Sequence, residues 1–361
     1  AITTGNDNVI VGKDAGQANV SGDEMVLIGH SAGFSLNHAT DADGAVLIGY
    51  NAGYNLATSE GVYIGWNAGA DADVGDVNAV QNVYIGTETG RYLDDGTHNT
   101  AIGYNAMRSS DSDAQNANNN VAVGTNALLA ITDGDNNVAV GSGAGVAITT
   151  GASNVAMGYR AGYALTDGAG AVAVGTQALQ DLSSGQYNTA VGFKAGMEIS
   201  TSDGCTGLGY QALAGTSAAA SYGDNNTAIG YNALTKIDYG ANGNTAVGSE
   251  AGQAITQASA NTLIGYKALG SYSGYTSTPE AHRNIAIGYE SLGTFARSGT
   301  GTSGGVSDNI AIGYQAFKGA NLGTDPSTDH SKNIAIGNYT LDATGTNAQT
   351  GTIAIGHEAL T

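Results

Sequence analysis

The sequence predicts an all-β chain folded as a parallel β-solenoid, a β-roll of about nineteen coils running unbroken through residues 1–361 as one domain. Three observations predict it. A motif built on Asn, a β-branched residue, Ala, Ile or Val, Gly, and then Ala three residues later recurs nineteen times. Its glycines run from Gly12 to Gly356 in steps of 16 to 25 residues, of which 17 is the commonest. A repeat of that period is the signature of stacked supersecondary units. The composition agrees, with 57 glycines, 2 prolines, 41% hydrophobic residues and only 12% charged ones. That apolar content supports a core and excludes global disorder, and glycine at this level opposes helix.

The strand comes first in each unit. The residue one before every anchoring glycine is aliphatic, from Val11 through Met157 to Ile355, and the residue three before is Val, Ile or Thr, from Val9 to Ile353. Side chains two apart share a strand face, and β-branched residues suit a pleated surface. These two columns are therefore expected to line the coil interior. The glycine then ends the strand at a corner needing positive φ or close backbone approach. Seven residues after it, many units carry Leu or Ile, among them Leu36, Leu56, Leu93, Ile131, Ile148, Leu182 and Ile237. This is expected as a second, weaker strand closing over the first.

Two further columns flank the strand. Asn stands four before the glycine in thirteen units, including Asn8, Asn120, Asn188, Asn261 and Asn333, with Cys205 as a substitute in one. Turn chemistry would explain it; an amide ladder between coils explains it better. Two before the glycine the column is again apolar, chiefly alanine: Ala101, Ala122, Ala139, Ala156, Ala173, Ala190, Ala228 and Ala246. A strand apolar on both faces is buried on both faces. With the other face assigned to the interior, these alanines are expected at the interface of a homotrimer. Bulkier Ile10, Leu27, Leu47, Tyr63 and Tyr84 in the first units then imply chains standing further apart there.

The units resemble the YadA-like head repeats of trimeric autotransporter adhesins. The longer form, as in Ile285-Ala286-Ile287-Gly288-Tyr289 and Ile310-Ala311-Ile312-Gly313-Tyr314, is similar to repeats of phage tail-fibre proteins. The resemblance implies side-by-side β-rolls in a trimeric, extracellular fibre concerned with attachment. The long steps, and the lack of a coiled-coil stalk or anchor barrel in this sequence, favour a phage tail fibre over a bacterial adhesin head. The start at Ala1 without Met suggests a processed product or a piece of a longer chain.

Other classes find little support. A balance of 31 acidic against 11 basic residues, net −20, opposes nucleic-acid or anionic-membrane partners, and no apolar run reaches the ~20 residues of a membrane helix. One cysteine excludes an internal disulfide or cysteine-built zinc site. The six histidines show no metal-ligand spacing, Gly141-Ser142-Gly143-Ala144-Gly145 lacks the Lys of a phosphate loop, and Asp94-Asp95 reads as solvated turn chemistry. No enzyme and no cofactor are expected; loop carboxylates suit calcium, but the Gly-Gly-x-Gly-x-Asp calcium repeat is missing. An ice-binding solenoid would need an outward threonine array. The threonines three before the glycine (Thr100, Thr189, Thr206, Thr227, Thr245, Thr262) are mixed with Val and Ile and are expected to face inward. A polysaccharide-active β-helix would need a titratable cluster.

Two features remain for recognition. Aromatic residues follow the glycine directly in ten units, as in Tyr50, Trp66, Phe193, Tyr210, Tyr231, Tyr266, Tyr289 and Tyr314, which reads first as a stacked column and second as a binding stripe. The steps ending at Gly288, Gly313 and Gly337 are 23, 25 and 24 residues, so residues 270–332 should carry protruding loops. Tyr272, Tyr275, Arg283, Phe295 and Arg297 are the candidate contacts to a host cell-surface glycan or protein.

Overall fold

A computed structural model describes residues 5–361 apart from 20, 37–42, 57–59, 72–80, 94, 110–115, 216–222, 238–239, 254, 274–280, 297–304, 320–329 and 343–348. Two compact units carry the repeat, Ala1–Gln177 and Ala178–Thr361. The first holds ten three-residue strands: β1 (Val9–Val11), β2 (Val26–Ile28), β3 (Val46–Ile48), β4 (Val62–Ile64), β5 (Val83–Ile85), β6 (Thr100–Ile102), β7 (Val121–Val123), β8 (Val138–Val140), β9 (Val155–Met157) and β10 (Val172–Val174). Each pairs in parallel with the next and in register, so Ala122 lies opposite Ala101 and Ala139. The second unit continues the pattern with β11 (Thr189–Val191), β12 (Thr206–Leu208), β13 (Thr227–Ile229), β14 (Thr245–Val247), β15 (Thr262–Ile264), β16 (Ser271–Ser273), β17 (Ile285–Ile287), β18 (Thr294–Ala296), β19 (Ile310–Ile312), β20 (Ile334–Ile336) and β21 (Ile353–Ile355). There β16 and β18 form a separate parallel pair, and the other nine make the ladder. Each unit is thus a parallel β-solenoid, and the described residues contain no helix.

The corner glycine is required twice over. At Gly158 φ is +135°, and a Cβ there would lie 2.6 Å from the carbonyl oxygen of Gly175 on the next coil. Only glycine accepts both the dihedral and that approach.

The chain beyond the corner is a stack of turns, where a second strand was expected. Residues two and four after the glycine take left-handed φ, as in Asn126 (57°) and Leu128 (50°), and an extended strand cannot contain them. The turns still bond from coil to coil, with Asn126 N–H donating to Tyr104 O at 2.9 Å and Leu128 N–H to Ala144 O at 3.1 Å. The expected packing holds without the strand: Leu36, Leu56, Leu93, Ile131, Ile148, Leu182 and Ile237 are all buried.

The faces of the main strand are the reverse of the expectation. In the ladder strands from β2 to β20, leaving aside β16 and β18, the central residue is buried and the outer two are only partly covered. Ala101, Ala122, Ala139, Ala156, Ala173, Ala190, Ala228 and Ala246 are 0–2% exposed within a single chain. They line the coil interior and cannot form an interface between chains. The reason is volume. In the first five units the inward residue is large and the residue four after the glycine is Gly, as in Leu47 with Gly53, Tyr63 with Gly69 and Tyr84 with Gly90, whereas Leu263 is met by Leu269. Where it is Ala, that residue is often Leu, Met or Phe: Ala101 with Met107, Ala122 with Leu128, Ala228 with Leu234, Ala311 with Phe317. A Cβ added at Gly69 would meet the Tyr63 ring at 2.5 Å, and one at Gly90 the Tyr84 ring at 2.3 Å. One narrow core is filled from the strand side or the turn side. The bulky early residues therefore widen nothing between chains. Tyr63 and Tyr84 are buried against each other, edge to face at 5.2 Å.

Candidate functional site: the outer face of the sheet

With the alanines inside, the aliphatic and threonine columns stand outside. In the first unit the outward rank includes Val121, Val123, Val138 and Val140, with Ile102 at 38% and Met157 at 42% exposure. In the second it includes Leu208 at 45%, Ile264 and Ile336. A soluble sheet normally turns polar residues to water on one face; here that face is β-branched and apolar. Within the second unit Thr189, Thr206, Thr227, Thr245 and Thr262 pair in direct succession on the same outer face. The threonine column thus points to solvent, which reverses the inward placement expected of it.

The aromatic column lies beside this rank, and its rings are largely stacked from coil to coil. His30, Tyr50 and Trp66 form one stack, with centroids 5.3 and 6.4 Å apart. Phe193, Tyr210 and Tyr231 form a second at 5.4 and 5.2 Å, and Tyr266, Tyr289 and Tyr314 a third at 5.0 Å throughout. Near-parallel stacking covers ring faces and leaves edges outward, which suits bracing of the corner better than face-on sugar stacking. Cations close the first ring of two stacks: Lys194 lies over Phe193 and Lys267 over Tyr266, at 5.5 and 5.1 Å from the centroids.

The asparagine column is a ladder, though its main rungs join side chain to backbone. Asn137 Nδ2 donates to Gly151 O at 2.9 Å, and its Oδ1 accepts from Asn154 N–H at 2.9 Å. Direct amide-to-amide bonds are added from Asn120 to Asn99 at 3.2 Å in the first unit, and from Asn244 to Asn226 and from Asn261 to Asn244, both at 2.9 Å, in the second. Cys205 sits buried in this column, and burial pushes its thiol up to about 11, which removes it as a nucleophile.

Of the candidate receptor contacts, three lie among the described residues. Arg283 is exposed, but its guanidinium clasps Asp308 on the next coil at 2.6 and 3.0 Å, and this bond holds the Asp308 carboxyl below its usual range. Tyr272 and Phe295 lie opposite each other in the β16–β18 pair. They fall seven residues after Gly265 and Gly288, in the column that carries buried Leu or Ile in other coils. These short stretches pair with each other in parallel, while residues 274–280, 297–304 and 320–329 of the long steps lie outside the described residues. Tyr275 and Arg297 lie outside the described residues, as does Asp94.

One ionic cluster escaped the sequence reading. Glu88, largely buried, receives Arg91 at 2.8 Å and Arg108 at 3.0 Å, and Arg91 also pairs with Asp71. Burial raises the Glu88 carboxyl, but the bonds from Arg91 and Asn67 outweigh it and hold the group below its ordinary range. Arg91 is three residues from Glu88, but Arg108 is 20 residues away, a spacing that only the coil period brings into contact. Among the described residues no group of three or more His, Cys, Asp or Glu is placed to hold a metal ion, and no helix is long and apolar enough to cross a membrane. No known protein family, curated protein or solved structure matches the chain.

Proposed function

We propose that the chain is a structural and adhesive fibre segment, three copies of which pack side by side in an extracellular phage tail fibre that attaches to a host. The observation that carries this reading is the outward β-branched rank, partly open to solvent in a single chain and repeated on coil after coil. Apolar area left in water costs about 25 cal/mol per Å², and a flat, periodic face is best covered by the same face of another copy. The outward rank of the strands itself carries no charged residue, so packing through it desolvates none of the charges behind the net −20. A bacterial surface adhesin head would use the same assembly; a chaperone domain in the flanking sequence marks the fibre, an anchor barrel the adhesin. Host contact falls to the long steps within 270–332, with Tyr272, Tyr275, Arg283, Phe295 and Arg297 the candidates.

Sedimentation at micromolar concentration tests the assembly. Three chains are expected, and Val121→Asp with Val138→Asp should give folded monomers, because both side chains point away from the core. A wild-type monomer would sink the reading. One observation favours a second reading, binding to an ordered flat surface such as ice: the in-register run from Thr189 to Thr262. Thermal hysteresis in the wild type, lost on replacing Thr227 and Thr245 with Lys, would select it.

A further inference from the structure

We propose that the tyrosine stacks of the second unit are sites of oxidative cross-linking, in which hydrogen peroxide acting through a haem peroxidase joins neighbouring coils by dityrosine bonds. Three pairs have the geometry. Tyr210 and Tyr231 lie 5.2 Å apart with planes at 12°, Tyr266 and Tyr289 5.0 Å apart at 28°, and Tyr289 and Tyr314 5.0 Å apart at 8°. Each pair occupies the same position on successive coils, so the parallel sheet holds like atoms of the two rings close to one coil spacing, ~4.8 Å. The rings are open to an oxidant: Tyr289 is 41% exposed and Tyr314 39%. Exposure on the solvent side also gives them room to swing into bonding contact, while the anchored backbone holds each near its partner.

The chemistry balances. Each phenol gives up one electron and one proton, and the two phenoxyl radicals couple through carbons ortho to their oxygens. Loss of the two ortho hydrogens as protons to solvent, with reprotonation of both oxygens, restores the phenols. Overall the pair loses two hydrogen atoms, and one hydrogen peroxide is reduced to two waters. The bond ties coil to coil across 21, 23 or 25 residues of chain, and a covalent closure of that kind restricts the unfolded ensemble.

The molecule carries its own controls. Tyr63 and Tyr84 are as close, at 5.2 Å, but edge to face at 82° and buried, so they should not react. Phe193–Tyr210 and Tyr50–Trp66 stack with one phenol each and cannot form the bond. Tyr104, Tyr159 and Tyr187 are exposed without an equivalent tyrosine on the adjacent coil. The experiment treats dilute, full-length protein with peroxidase and hydrogen peroxide, then reads dityrosine fluorescence and maps linked peptides by mass spectrometry. The expected result is intrachain linkage of Tyr289 to Tyr266 or Tyr314 and of Tyr210 to Tyr231, several-fold above any product at Tyr63 or Tyr84, with a raised melting temperature. Tyr289→Phe should abolish the third-stack links and leave Tyr210–Tyr231 intact. Products dominated by links between molecules, or by Tyr104, Tyr159 and Tyr187, would overturn the proposal, as would an unchanged Tyr289 in protein whose exposed tyrosines are consumed.

Discussion

Replacing Tyr63 with Ala and Gly69 with Leu should show the core to be one volume shared between strand and turn. Tyr63→Ala alone removes a fully buried ring and its edge-to-face contact with Tyr84, a loss of about 3–5 kcal/mol by the usual cost of emptying an aromatic site. Gly69→Leu alone sets a Cβ 2.5 Å from the Tyr63 ring, where overpacking costs about 1–3 kcal/mol, and it adds the left-handed penalty of about 1–2 kcal/mol. Together the two changes rebuild the pairing of Ala122 with Leu128, where Leu already tolerates φ of 50°, close to the 57° at Gly69. The left-handed penalty then remains, the clash of about 1–3 kcal/mol disappears, and Leu, smaller than Tyr, refills only part of the cavity. The double variant should lie about 2–3 kcal/mol above the sum of the singles, at the upper end of couplings measured between touching residues. Urea unfolding of the four proteins followed by circular dichroism measures it. Additivity within about 0.5 kcal/mol would refute a shared core volume.

Further expectations follow from the ladders and the ionic cluster. Asn137→Ala strands the Gly151 carbonyl and the Asn154 amide in the interior, so denaturant unfolding should show a loss of about 2–6 kcal/mol at 1–3 kcal/mol per orphaned group; the part-buried Asn8→Ala should lose less. Cys205→Asn restores the column's usual residue and should raise stability by about 1 kcal/mol, with an unchanged or lowered melting temperature counting against the ladder. Glu88 has a depressed folded pKa, so its contribution is present above the unfolded carboxylate value and is lost as pH falls through the folded one. The melting-temperature gap between wild type and Glu88→Gln should therefore be open at pH 7 and close below about pH 4; a gap that persists in acid would show that the cluster acts through packing alone.

The period, the strands, the corner glycines and the asparagine ladder were legible because each rests on a column that admits few residue types. Inside and outside were not, since alternation assigns faces only when one is polar. Val138, Ala139 and Val140 are all apolar, and hydropathy cannot orient them. The orienting signal was size: Tyr63 answered by Gly69 and Ala122 by Leu128 reports that those positions meet, whereas Val138 and Val140 have no such partner. The turn stack was hidden because Leu128 and Leu179 hold left-handed φ against their intrinsic preference, which only the inter-coil bonds and the core can impose. In the candidate site, the swap of faces moved the assembly surface from the alanines to the valines, isoleucines and threonines. The recognition residues fared differently, since Arg283 is held by Asp308 and Tyr272 and Phe295 follow the register of the coil.

Because each strand of the first unit bonds only to the strands before and after it, the molecule can change length where an ordinary domain cannot. Removing residues 155–171 would join Asn154 directly to Val172-Ala173-Val174-Gly175, so the asparagine keeps its place four before a corner glycine and β10 inherits the partners of β9. Slippage during replication can add or drop such a block in one event and leave every surviving interface intact. Point changes at the corner glycines from Gly12 to Gly158 are barred by the carbonyl of the next coil. The length of the unit is therefore adjustable by whole coils, while the chemistry of each coil stays fixed.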